Sequence, residues 1–105
     1  MHIEFSTDRH IHGHEALAAH VQGVVAHALS HVSTHVTRVE VHASDTNADK
    51  GGPLDKRCTM EARIEGRQPT VVTDQAATLE QAIIGAAGKL RRAVESVVER
   101  RQDQR

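Results

Sequence analysis

Apolar and polar residues alternate at four places along the chain and recur at helical spacing at two. In Met1–Ser6, Ile3 and Phe5 are interleaved with His2, Glu4 and Ser6, a period of two that predicts a strand with one apolar face. After a loop, Thr7–Gly13, the residues Leu17, Val21, Val24, Val25, Ala28, Leu29 and Val32 return every three or four positions, which predicts a helix from His14 ending near Ser30. Thr34–Ser44 switches back to period two, with Val39, Val41 and Ala43 on one face and Arg38, Glu40 and His42 on the other. Asp45–Lys56 is rich in Asp, Asn, Gly and Pro and reads as a long exposed connection. Arg57–Glu65 alternates again, placing Cys58, Met60, Ala62 and Ile64 inward; Gly66-Arg67-Gln68 supplies a hairpin turn, and Pro69–Thr73 continues as the fourth strand.

Thr78-Leu79-Glu80-Gln81 fits the capping-box pattern, so a second helix starts there. Its apolar stripe, Leu79, Ile83, Ala86, Leu90, Val94 and Val97, runs to about Val98. Gly85 and Gly88 interrupt it at a cost of roughly 1 kcal/mol each, which points to a close approach by the sheet or a ligand. The remaining segment, ERRQDQR, is polar and is expected to fray, leaving an ordered core of about 1–100 and a tail of 101–105. The order β-α-β-β-β-α with one polar sheet face predicts an α+β sandwich of two layers: a four-stranded sheet with both helices on one face.

Composition narrows the functional classes. The 105 residues include one Cys, one Phe and no Tyr or Trp, so a single small domain must build its core from aliphatic side chains without a disulfide framework. The lone Cys and the absence of an apolar run of about 18 residues predict a soluble, cytoplasmic protein that does not enter a membrane. Charge is uneven. Residues 1–49 carry two basic against six acidic side chains and all nine His, whereas residues 50–105 carry eleven basic against eight acidic. The second half is therefore the part that would meet an anion, and the first could gain positive charge near the unperturbed His pKa of about 6.5.

On the last helix, Lys89, Arg92, Ser96 and Arg100 step by three, four and four, a polar stripe that presents three cations along one line. Arg91 lies on the other flank, four residues before Glu95, where an intrahelical pair would occupy it in part. The hairpin adds Arg57, Arg63 and Arg67, with Lys56 preceding it. Glu61 and Glu65 share that outer face, so cross-strand pairing in a solvated sheet competes with anion binding there. Lys50-Gly51-Gly52 is a weak backbone anion motif. Without exposed aromatics, base stacking of the kind single-strand platforms use is disfavoured, while shape and phosphate contact on a folded RNA remains compatible.

Other chemistries have less support. Cys58 alternates with core residues and reads as packing, and no G-x-S-x-G, Walker or dinucleotide motif is present, so no enzyme activity, small-molecule substrate or cofactor is expected. His10, His12 and His14 would share a side only in an extended segment, and His27, His31 and His35 only if the first helix ran past Ser30. A His-rich metal-binding protein is thus one alternative, solvated or pH-sensing histidines another.

Taken together, the start MHIEFST, the strand VTRVEVHAS, the charged hairpin KRCTMEARIEGRQPTVVT and the final helix TLEQAIIGAAGKLRRAV, with Lys89-Leu90-Arg91-Arg92 inside it, resemble the ribosome hibernation-promoting factor and ribosome-associated inhibitor family, also called sigma-54 modulation proteins. The resemblance spans nearly the whole chain. It implies a fold similar to a double-stranded-RNA-binding domain with an extra N-terminal strand. It further implies a partner, the 30S ribosomal subunit through its 16S rRNA, and a role in inhibiting translation and holding ribosomes idle under stress. The length is that of a short form, without the ribosome-pairing C-terminal domain of long members. A protein-interaction or regulatory module is the alternative that the sigma-54 label suggests.

Overall fold

A computed structural model describes residues 1–8, 11, 13–45 and 56–103. Along the chain come β1 (His2–Thr7), α1 (His14–Ala28), a 3-10 turn at Ser33–His35, β2 (Val36–Asp45), β3 (Lys56–Ile64), β4 (Thr70–Ala76) and α2 (Leu79–Asp103). The strands form one sheet in the order β1-β2-β3-β4. β1 runs parallel to β2, with Ile3 beside Val39 and Phe5 beside Val41; the other neighbours are antiparallel, with Val41 opposite Met60 and Met60 opposite Val72. Both helices cover the same face, so the expected two-layer α+β sandwich is the fold observed.

That placement follows from the alternation. Val39, Val41, Ala43, Cys58, Met60 and Ala62 point from the sheet into a core that Val21, Val25 and Leu29 of the first helical segment and Ile83, Ala86, Leu90 and Val94 of α2 complete, all of them at most 2% exposed. Burying a side chain the size of Leu90 contributes about 1.5–3 kcal/mol, so the aliphatic stripe suffices without aromatic bulk. Phe5, half-buried on the inner side of β1, packs beside the ring of His14 with centroids 5.3 Å apart.

Several boundaries differ from the sequence pattern. α1 stops at Ala28; a turn then buries Leu29 and Val32, and the Val32 carbonyl accepts the His35 N–H at 2.9 Å, so β2 begins at Val36 rather than Thr34. Asp45 and Lys56, assigned to the connection, are instead paired strand ends. The remainder of that connection, including Lys50-Gly51-Gly52, lies outside the described residues, as do His10 and His12. β4 extends past Thr73 to Ala76, and α2 continues to Asp103 through residues expected to fray. The hairpin turn does form at Gly66, whose φ of 76° is the left-handed conformation that a residue without Cβ adopts without strain, and Arg67 donates its N–H to the Ile64 carbonyl at 3.0 Å.

Candidate nucleic-acid interface

The two described lysines and the arginines behave differently. Lys89 leaves α2 toward β4, where its Nζ lies 2.8 Å from Asp74 Oδ1 and donates to the Thr73 carbonyl at 2.9 Å. Gly85, one turn earlier, makes this possible. A Cβ at that position would overlap Asp74 Oδ2 and stand 2.7 Å from Cγ, so the glycine is the notch into which the carboxylate fits. The close approach suggested by Gly85 is therefore an approach by the sheet. At Gly88 the nearest atom to a Cβ would be Arg92 Nη1, at an ordinary 3.6 Å. Lys56 is tied as well: its Nζ is 3.2 Å from Asp45 Oδ2, with the two side chains 26% and 15% exposed. Lys89, the first member of the predicted stripe, is thus ion-paired to Asp74 while its side chain stays 45% exposed.

Arg57, Arg63, Arg67, Arg91, Arg92 and Arg100 are all exposed, and none makes an ion pair with another described residue. The expected Arg91–Glu95 pair does not form. Glu61 meets no cation across the sheet for a reason of register: it stands opposite Glu40 and Val71, while Arg63 stands opposite Arg38. Arg38 is held by Glu4 and by Glu40, the latter at 3.4 Å, so those two carboxylates serve that arginine.

The six guanidinium groups do not share one direction. Arg57 and Arg63 project from the outer face of the sheet, away from both helices. Arg92 and Arg100, with Ser96 between them, continue the flank from which Lys89 leaves, their Cα atoms about 12 Å apart along the helix. Arg100 and Arg67 line a concavity of about 310 Å³ with Gln68, Pro69, Thr70 and Val97, where the hairpin turn meets the end of α2. Two exposed arginines from different elements thus meet at that end. Arg91 faces the opposite way and lines a groove of about 690 Å³ between α1 and α2.

The sequence reading does not anticipate this groove, although its signal was present: Ala19 and Gly23 are small, exposed residues beside the apolar stripe of α1. His20 Nε2 and Glu80 Oε2 close one end of it at 2.7 Å. Because α1 ends at Ala28, His27, His31 and His35 do not align, and among the described residues no three His, Cys, Asp or Glu come together as a metal site. Cys58 is fully buried, and burial together with the neighbouring Asp74 carboxylate pushes its thiol up to about 12, so it is not a nucleophile near neutrality. Among the described residues no helix is long and apolar enough to cross a membrane.

Two solved structures share this architecture. The N-terminal domain of Protein Y from Thermus thermophilus superposes with a TM-score of 0.73 at 20% identity, over 92% of this chain and 99% of that one. A ribosomal subunit interface protein from Coxiella burnetii superposes with a TM-score of 0.70 at 11% identity, over 94% and 99%. At such identities the likeness is one of fold. None of the curated proteins matches by sequence. The family model described as sigma 54 modulation protein / S30EA ribosomal protein, however, matches residues 6–102, from the end of β1 through the last turns of α2, and the chain belongs to that family.

Proposed function

We propose that the protein is a ribosome-associated factor of the cytoplasm that binds the small ribosomal subunit through phosphates of its 16S rRNA and inhibits translation by occupying it, with no chemical step. Family membership supports association with the ribosome, as does the name of the Coxiella relative. The observation that supports the RNA contact is the meeting of Arg67 and Arg100 where the hairpin turn reaches the end of α2, with Arg92 on the same helix, all three exposed and without an ion pair to another described residue. A guanidinium offers a planar fork that fits two phosphate oxygens and is less strongly hydrated than an ammonium. With the only Phe on the inner side of β1, readout goes through shape and backbone charge.

The test is cosedimentation with purified 30S subunits across a salt series. Arg92→Glu combined with Arg100→Glu is expected to weaken association more than tenfold and to flatten the log–log salt dependence by about 1.4–1.8, two phosphate contacts' worth. Lys89→Glu is expected instead to lower the melting temperature, because it opposes Asp74 at the edge of the sheet. Undiminished binding by the Arg92/Arg100 double variant, with an unchanged salt slope, would overturn the assignment.

A further inference from the structure

The seam between α1 and α2 is open where packed helices ordinarily interlock side chains. His20 meets Glu80, and the groove beyond that contact is lined by residues that follow each of them in sequence, Gly23 to Ala28 on α1 and Ile84 to Arg91 on α2, so the helices run parallel. Gly23 and Gly88 leave the walls low, and Ile84 stands over the floor 53% exposed, a large apolar side chain in contact with water. Glu80, Ile84, Ala87 and Arg91 follow one another by four, three and four residues, a single stripe along the seam side of α2. Read from its other end, this stripe is its own complement. Reversal exchanges Glu80 with Arg91, an acid with a base, and Ile84 with Ala87, a large residue with a small one.

We propose that this face is the interface of a homodimer in which a second copy lies antiparallel across the first. Each Ile84 enters the other copy's groove beside the exposed Gly23, over a floor that the buried Ala87 helps to form, and each Arg91 reaches the other copy's Glu80. Within one chain the two cannot meet, because eleven residues of helix separate them by about 16 Å. A two-fold axis brings both pairs together at once, the condition for a self-complementary interface. Two helices cover less than the roughly 800 Å² per partner of standard stable complexes, so the dimer is a weak one that dissociates on dilution. Arg91 is covered in it; that dimerisation competes with RNA for this arginine rests on the functional reading above, whereas the dimer itself does not.

Sedimentation velocity on the full chain without RNA, from about 10 µM to about 1 mM, a range suited to a weak complex, tests the proposal. The mass should rise with concentration from the 11.5 kDa monomer toward twice that value. Gly23→Gln places a side chain into the groove where nothing stands within 4 Å of a Cβ, and it removes a helix-interior glycine; it should stay folded by circular dichroism and remain monomeric throughout. Arg91→Glu should weaken association at least tenfold, and Glu80→Arg added to it should restore association. A wild-type chain that stays monomeric, a Gly23→Gln variant that dimerises normally, or a double exchange that restores nothing would each overturn the dimer. Because no ribosome enters this experiment, failure here leaves 30S binding standing, and failure of 30S binding leaves the dimer standing.

Discussion

A methyl group added at Gly85 would overlap the Asp74 carboxylate, whereas one added at Gly23 would meet nothing within 4 Å. Both glycines lie inside helices, where alanine is favoured by roughly 1 kcal/mol, so the surroundings decide the sign. Gly85→Ala should destabilise the fold by about 1–3 kcal/mol, as overpacking does, and Gly23→Ala should stabilise it by about 0.5–1 kcal/mol, both read from urea unfolding. Cys58 makes a different prediction at this scale. Its folded thiol titrates at about 12 against an ordinary 9.0, because burial and then Asp74 oppose the thiolate. Below pH 9 both states keep the proton; between 9 and 12 the unfolded chain loses it first, so stability falls as pH rises, by up to about 1.4 kcal/mol per pH unit. Urea midpoints measured from pH 8 to 10.5 should show that decline in the wild type and a shallower one in Cys58→Ala.

Elements were legible where local pattern and local chemistry agreed. The start of α2 is one case: the Thr78 hydroxyl accepts the Gln81 N–H at 3.1 Å, as the capping box implied, and Thr78→Ala should lower stability by about 1 kcal/mol in thermal or urea unfolding. The core strands are another, since every inward residue of β3 from Cys58 to Ile64 is buried. β4 was read too short because Asp74 is a polar residue at an inward position. Its partner, Lys89, is fifteen residues away on another element, and hydrophobic alternation cannot signal a carboxylate satisfied by such an ion pair. The end of α2 lies past the apolar stripe, which stops near Val98, because Glu, Arg and Gln are good helix formers in their own right.

At the scale of the whole molecule, the sequence shows which side chains are cationic and cannot show which of them stay unpaired in the fold. Whether a cation is displayed or consumed depends on contacts between distant segments. Lys89 headed the predicted stripe and is held by β4, whereas Arg67 from the hairpin joins Arg100 at the helix end, a convergence that only the packing of α2 over β4 produces. The groove between the helices likewise belongs to neither helix alone. The pairing of β1 with β2 spans 36 residues, as between Ser6 and His42, and requires the whole of α1 in between, while β2, β3 and β4 join consecutive antiparallel neighbours. Long loops close late because chain entropy must be given up before any contact rewards it. During synthesis, β1 therefore has no sheet neighbour to lie against until the 36 residues that separate the paired positions have followed it.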